Sequence, residues 1–189
     1  MPGRTAINEK AGAKSAAAKN AAAKNAAAIS VTREFDAPAH VLFRWWIEPR
    51  HFVRWFGPAR TDMPVCDLEG RPGGVIRFCT RFDDGREIWL KGRFREVIEP
   101  ARLVFPLWFT DEQGRPAGHP MYEDWPLDAT YLTTVAFEDI GRRGRVVVHQ
   151  SVRPASAARH PNMRAEREMA KQGWAESLQR LAEVLEEQD

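Results

Sequence analysis

The chain has 189 residues, enough for one domain with a sizeable core, and its formal net charge is +2. Residues 1–28 carry a net charge of +4 and the remaining residues −2, so the basic character gives no argument for a nucleic-acid-binding domain. No apolar stretch approaches the roughly 20 residues that span a bilayer, and no apolar signal core is present, so we expect a cytoplasmic protein without membrane or specific nucleic-acid partners.

The first predicted segment, residues 1–28, is a low-complexity tail rich in Ala and Lys. It contains the five-residue repeat AKSAA AKNAA AKNAA. Ala and Lys favour a helix, but the repeat has no apolar face to bury, and an isolated helix of this length is marginal in water. Two interpretations stay open: a solvated extension, disordered or marginally helical, and a basic arm that binds an acidic partner.

A strand is predicted from Ile29, where apolar and polar residues begin to alternate, and the segment from this strand to Pro58 is predicted to contain two short helices. Asp36 is expected to accept hydrogen bonds from the first helical N–H groups, and Pro49 to end the first helix near Ile47. Gly57 and Pro58 are expected to end the second helix. Apolar residues recur at three- and four-residue steps through both helices: Val41, Leu42, Trp45, Trp46, Phe52, Trp55 and Phe56. Such a broken amphipathic helix needs a large apolar surface against which to pack.

Alternation of apolar and polar residues then predicts a run of antiparallel strands. The predicted strands span residues 63–69, 75–82, 87–98, 102–110, 131–138 and 145–152. Asp83-Asp84-Gly85 predicts a hairpin turn of the Asp-Gly type. Because Arg and Lys alternate with apolar residues in these strands, one face of the sheet is expected to be solvated.

The irregular segment from Phe109 to Pro126 is rich in Gly and Pro, which exclude long regular structure. Loops of this length are often functional or disordered. One interpretation is a lid over a cavity mouth, to which Trp125 contributes aromatic surface. The other is a simple surface excursion.

The last predicted element is a long C-terminal helix. Trp174, Leu178, Leu181 and Leu185 follow the i, i+4, i+7, i+11 spacing of an apolar stripe. Gly173 is unfavourable there, by about 1 kcal/mol relative to Ala in an exposed helix interior. Two arrangements would explain a glycine at this position despite its cost: tight packing of the helix on the sheet, or room for a ligand beneath the indole.

Several motifs in these elements resemble those of a known superfamily. The sequences R-E-F-D-A-P, V-L-F-R-W-W-I-E-P and W-F-G-P, all between Arg33 and Pro58, resemble the opening of the START-like SRPBCC proteins, in the branch related to the activator of the heat-shock-protein-ninety ATPase. Similar agreement is found in C-D-L-E-G-R-P-G-G from Cys66, in K-G-R-F-R-E-V-I-E-P from Lys91 and in the closing Gly-Trp pair. The resemblance covers roughly residues 31–185.

The resemblance implies an α+β helix-grip fold for residues 29–189, with a curved antiparallel β-sheet wrapped around a long C-terminal helix and two short helices after the first strand. Such folds commonly keep an apolar cavity between helix and sheet. The candidates for ligand binding are Trp46, Trp55, Phe78, Thr80, Leu90, Phe94, Phe105, Trp125, Tyr131, Val135, Gln150 and Trp174. Trp46 and Trp55 are expected near the entrance, and Thr80, Tyr131 and Gln150 are the polar candidates. The alternative is that these side chains fill a solid core.

The sequence contains no strong catalytic or metal-binding motif. Its five histidines lack the paired spacing of a zinc site, and Cys66 and Cys79 fit neither a Cys-x-x-Cys motif nor a disulfide framework. His119, in the irregular segment, is the single acid/base candidate. We therefore predict no metal and no cofactor.

The favoured function is a soluble binding protein for a small apolar or aromatic ligand. One alternative is an enzyme of cyclase or hydrolase type that acts on such a ligand. Another is a regulator of a chaperone ATPase, which the family branch suggests and which would need a partner surface outside the cavity. The two-domain layout of the eukaryotic cochaperone is missing, which weakens this second alternative. A chaperone contact or a homo-oligomer contact stays an open expectation.

Overall fold

The structure, a computed structural model, describes residues 28–154 and 156–187. The predicted tail lies outside the described residues, except for Ala28. The elements in chain order are β1 (Ala28–Phe35), α1 (Ala39–Ile47), α2 (Pro49–Trp55), β2 (Thr61–Leu68), β3 (Val75–Phe82), β4 (Glu87–Arg93), β5 (Glu96–Ile98), β6 (Arg102–Thr110), β7 (Thr130–Ile140), β8 (Arg143–Arg153), a 3-10 turn (Ala157–Arg159) and α3 (Met163–Glu186).

The strands form one antiparallel sheet in the order β1-β8-β7-β6-β4-β3-β2, with β5 paired to β6 beside this path. The sheet curves around α3, which packs against β1 and α2. This arrangement confirms the predicted α+β helix-grip fold, including the two short helices after the first strand.

The strand predicted over residues 87–98 is two strands. The Phe94 N–H donates to the Gly74 carbonyl (3.0 Å), whereas the next N–H, of Arg95, donates to the Val104 carbonyl (2.7 Å). The backbone therefore changes its partner strand at this point, and β5 continues only along β6. The sequence could not predict this break, because apolar and polar residues continue to alternate while the partner strand changes.

The break between α1 and α2 lies where the sequence predicts it. Glu48 has an extended backbone (φ −96°, ψ 120°), as expected for a residue that precedes proline, and α1 ends at Ile47. The capping role predicted for Asp36 is wrong. The Ala39 N–H donates instead to Oδ1 of Asp139 at 2.8 Å, and Asp36 pairs with Arg143 at 2.8 Å.

Helix α3 begins at Met163, eleven residues before the predicted apolar stripe. Trp174, Leu178 and Leu181 are buried on its inner face as predicted, and Ser177 joins them. The additional N-terminal turns also bury the charged residue Glu166. Among the described residues, no helix has both the length and the apolar character needed to cross a membrane.

Candidate functional site

A cavity of about 370 Å³ lies between α3 and the inner face of the sheet. Its wall combines residues of β3, β4, β6, β7 and β8 with residues from the turn after α2 and from the loop between β6 and β7. Six of the twelve sequence-predicted binding residues line it: Phe78, Thr80, Leu90, Tyr131, Gln150 and Trp174. The space is therefore bounded by the elements that the helix-grip fold brings together.

Strand register explains how residues of neighbouring strands meet in this wall. Phe78 pairs with Leu90 across β3 and β4, and Leu90 pairs with Phe109 across β4 and β6. Directly paired residues point to the same face of a sheet, so the three side chains form one apolar row. Four lining residues are missing from the predicted set, although alternation along the strands places them on the same inner face: Phe82, Ile88, Leu107 and Phe109.

The other six predicted residues do not line the cavity. Val135 lies in the packed core, and Phe94 and Phe105 border only a small void of about 10 Å³. Trp125 packs against Tyr131 from the β6–β7 loop, with ring planes 8° apart. The expected entrance position of Trp46 and Trp55 is wrong, because their exposed fractions are 1% and 0%.

Trp46 and Trp55 instead support the cavity wall from behind. The Trp46 ring stacks on the ring of Trp174, with centroids 5.6 Å apart, and Trp55 packs against Trp46 at 4.8 Å. The Trp55 Nε1–H donates to the Trp45 carbonyl at 3.0 Å. The indole of Trp174 is therefore held between the cavity and a second aromatic layer.

The mouth of the cavity is marked by those lining residues that are exposed to solvent: Arg86, Pro120 and Met121. Arg86 lies at the β3–β4 hairpin, and its Nε is 2.7 Å from Oδ2 of Asp84. Pro120 and Met121 belong to the β6–β7 loop. The entrance is therefore formed by loop and hairpin residues, and the tryptophans of α1 and α2 take no part in it.

The β6–β7 loop is packed onto the domain rather than projecting from it. His119, Pro120 and Met121 line the cavity, and Trp125 is buried. The His119 ring stacks on Tyr122 at 4.5 Å and contacts Trp125 at 5.0 Å and Phe109 at 4.9 Å. The loop thus covers one end of the cavity with an aromatic cluster.

His119, the acid/base candidate, forms a buried pair with Glu166 of α3. Its Nε2 lies 2.9 Å from Oε2 of Glu166, and its Nδ1 accepts a hydrogen bond from the Met121 N–H at 3.1 Å. Both ring nitrogens are therefore engaged within the protein. Glu166 was missed by the sequence analysis, although it lies eight residues before Trp174 and so two turns away on the same helical face.

Two further polar side chains face the cavity, Tyr131 and Gln150. The Gln150 Nε2 donates to the Thr133 hydroxyl at 3.1 Å. The Tyr131 hydroxyl is buried and has no hydrogen-bond partner within the described part of the chain. Burial, followed by the nearby Glu166 carboxylate, raises the pKa of this hydroxyl above its ordinary value. Tyr131 is therefore protonated at every physiological pH.

Gly173 lines the cavity one residue before Trp174. A Cβ atom built at this position would meet no atom of the described residues within 4 Å outside its own helical turn and chain neighbours. The explanation by tight helix-to-sheet packing is therefore wrong, and the space beneath the helix is open at this point.

Residues 28–154 and 156–187 contain no cluster of three or more His, Cys, Asp or Glu side chains suited to a metal ion. Cys66 and Cys79 are free thiols, and burial raises the pKa of each to about 11. Thiols with a raised pKa are poor nucleophiles at neutral pH.

Comparison with solved structures finds the same fold in bacterial proteins. The chain is 24% identical to a protein from Arthrobacter aurescens, with 86% of this chain and 88% of that chain covered and a TM-score of 0.72. It is 21% identical to a protein from Chromobacterium violaceum, with coverages of 84% and 96% and a TM-score of 0.66. An AHSA1 protein from Silicibacter pomeroyi is 19% identical, with coverages of 86% and 100% and a TM-score of 0.68. At these identities the likeness shows the fold alone.

Comparison with curated proteins gives no match. The sequence model of the family described as Activator of Hsp90 ATPase homolog 1-like protein matches residues 36–186. The match begins just after β1 and ends with α3, so it covers both short helices, the cavity and the loop above it. It confirms the branch of the superfamily that the sequence motifs resemble. The protein therefore belongs to the Activator of Hsp90 ATPase homolog 1-like family.

Proposed function

We propose that the protein binds a small apolar or aromatic molecule in the cavity between α3 and the sheet. The observation that carries the proposal is the cavity itself, which encloses about 370 Å³. Ligand pockets in proteins typically measure about 300–1,000 Å³ and are mostly apolar, with a few placed polar groups. The wall fits this description, since aromatic and aliphatic side chains predominate and the polar side chains are few.

The aromatic wall supports the proposal because its rings are held in position by contacts with one another. Trp174 is stacked on Trp46 and meets Phe56 edge-on at 5.4 Å. Phe78 packs edge-on against Phe56 at 5.1 Å. A preorganised wall lowers the ordering cost of binding, and each Å² of apolar ligand surface that is buried contributes about 25 cal/mol.

The environment of His119 favours a binding role over acid/base catalysis by this residue. A general base needs a ring nitrogen within hydrogen-bonding reach of the substrate proton. In His119 one nitrogen contacts Glu166 and the other accepts the Met121 N–H. The imidazole is therefore better placed to hold the loop against α3 than to transfer protons.

The proposal can be tested with the uncharged fluorescent dye N-phenyl-1-naphthylamine and a variant that fills the cavity. Gly173→Leu places a side chain into the open space beneath α3, whereas Ala175→Leu places the same side chain on the exposed face of that helix. We expect the wild type and Ala175→Leu to bind the dye with the same affinity, and Gly173→Leu to lose binding by at least about tenfold.

Circular dichroism and thermal unfolding would show that both variants are folded. Equal dye binding by Gly173→Leu and the wild type would place the dye outside the cavity and would overturn the proposal. Absence of dye binding by the wild type would also count against it.

A second candidate function follows from the family match. We infer, as this second candidate, that the protein regulates the ATPase of a heat-shock-protein-ninety chaperone through a surface outside the cavity. Its test is the ATPase rate of the purified chaperone with and without this protein. Stimulation that is equal for the wild type and Gly173→Leu would support this second function, and an unchanged ATPase rate would exclude it.

A further inference from the structure

The cavity contains one buried carboxylate, that of Glu166, whose residue is 5% exposed. Among the described residues the side chain that contacts this carboxylate is His119, and no Lys or Arg side chain forms an ion pair with it. An isolated charge is costly to bury unless it is paired and hydrogen-bonded. The state of the His119 ring therefore decides the charge that the cavity presents.

The hydrogen bonds of His119 define that state. Because Nδ1 accepts the Met121 N–H at 3.1 Å, this nitrogen carries no proton. The proton of the ring must then lie on Nε2, which donates to Oε2 of Glu166 at 2.9 Å. In this arrangement the imidazole supplies a hydrogen bond to the carboxylate and no positive charge.

Two more acceptor groups lie close to Glu166. Tyr131, Gln150 and Glu166 line the large cavity and also border one small void of about 10 Å³, which shows that the three are neighbours. Arg167 also borders this void, but it does not line the large cavity and forms no ion pair with Glu166. The buried Tyr131 hydroxyl lies near enough to the Glu166 carboxylate for that group to raise its pKa, and no donor among the described residues contacts its oxygen. The donation from Gln150 Nε2 to Thr133 leaves the Gln150 Oε1 atom as an acceptor.

The rest of the wall is rich in aromatic side chains, including those of Phe56, Phe78, Phe109 and Trp174. The faces of such rings attract cations, most strongly where water is excluded. Arg86, at the mouth, is already paired with Asp84. The inner part of the cavity therefore combines a negative charge, neutral acceptors and aromatic faces.

We propose that the occupant of the cavity is an organic cation, namely a protonated amine on an aromatic or aliphatic body. Its ammonium group contacts the Glu166 carboxylate and donates to Tyr131 and Gln150, which matches the three N–H donors of a primary ammonium. Its apolar body lies against Trp174 and Phe78. This inference rests on the proposed binding function and names the ligand class for the same cavity.

The test compares three probes that share an indole body and differ in the charge of the side chain: tryptamine, tryptophol and indole-3-acetate. Binding to the full-length protein would be measured by isothermal titration calorimetry. We expect tryptamine to bind at least about tenfold more tightly than tryptophol, because a hydrogen bond to a charged group is roughly twice as strong as a neutral one. Indole-3-acetate, whose carboxylate faces that of Glu166, should bind most weakly.

Glu166→Gln keeps the shape of the side chain and removes its charge, so the preference for tryptamine over tryptophol should fall to less than about twofold. Tyr131→Phe should weaken tryptamine binding and leave tryptophol less affected. If Glu166→Gln does not fold, the ranking of the three probes with the wild type still decides the question.

The outcomes separate the ligand class from the binding function. If tryptophol binds as tightly as tryptamine, or tryptamine fails to bind while N-phenyl-1-naphthylamine binds in the cavity, the cation inference is overturned and the proposed function stands. If neither the indoles nor the dye bind to the wild type, both are overturned.

Discussion

Trp46 of α1 and Trp174 of α3 stack with their ring planes 12° apart and their centroids 5.6 Å apart. Only Trp174 reaches the cavity, whereas Trp46 contacts Trp55 and Phe137 on its other sides. The pair joins the first helix of the domain to the last. It also explains why a tryptophan that contacts no part of the cavity can determine the shape of its wall.

Trp46→Ala should destabilise the fold strongly. Truncation of a buried Trp or Phe to Ala costs about 3–5 kcal/mol, because both the transferred surface and the remaining cavity contribute. The free energy of unfolding would be measured by urea denaturation. Trp108→Ala, at a half-buried position on the outer face of β6, is the control and should cost clearly less. Equal losses would contradict the supporting role of Trp46.

Gly173→Ala should stabilise the protein by up to about 1 kcal/mol, because Ala has the higher helix propensity and its Cβ would enter open space. The contrasting variant is Gly92→Ala, since a Cβ on Gly92 would collide with the Pro106 carbonyl of the paired strand. Thermal unfolding of both variants checks the prediction. A lower melting temperature for Gly173→Ala would mean that the helix has no space at this point.

Ser177→Ala should weaken the contact between α3 and the turn after α2. The Ser177 hydroxyl accepts the Gly57 N–H at 3.2 Å and donates to the Gly173 carbonyl at 2.8 Å. Loss of the hydroxyl leaves a buried N–H without a partner, which costs about 1–3 kcal/mol. Urea denaturation and amide hydrogen exchange at Gly57 would detect the change. Ser30→Ala, at an exposed position of β1, should have little effect on either measurement.

Alkylation of Cys66 by iodoacetamide should be slow at neutral pH, and its rate should keep rising until the pH reaches the pKa of the thiol, about 11. Burial raises the pKa of this thiol to about 11, so its reactive thiolate is scarce at pH 7. Below the pKa the rate should rise about tenfold for each pH unit. A Cys79→Ser background isolates the signal of Cys66, and glutathione serves as the reference. A rate that levels off below pH 9 would contradict the raised pKa.

Local chemistry made part of this structure predictable. The helix break at Pro49 follows from the steric restriction that proline places on Glu48, and it needs no distant contact. Alternation along β3 and β4 placed Phe78 and Leu90 on the inner face, since successive side chains in a strand point to opposite faces. Predictions of this kind succeed because residues adjacent in the sequence determine the backbone conformation and the direction of the side chains.

Other parts depend on residues that are distant in the chain. The N–H at the start of α1 is satisfied by Asp139, one hundred residues away, and not by the nearby Asp36. The pairing of His119 with Glu166 likewise joins a loop without regular periodicity to a charged turn of α3. The position of Trp46 could not be predicted from the sequence, because its burial depends on which elements pack against α1.

The His119–Glu166 pair also determines how the cavity can exchange its contents. Because it ties the β6–β7 loop to α3, lifting that loop would separate a buried carboxylate from its hydrogen-bond donor, and a buried acceptor left without its donor is strongly unfavourable. At the mouth, rotation of the exposed Met121 and Arg86 side chains separates no buried pair. A ligand is therefore expected to pass between these two side chains while the loop stays in place, so the rate of exchange should depend on side-chain rotation and not on loop opening.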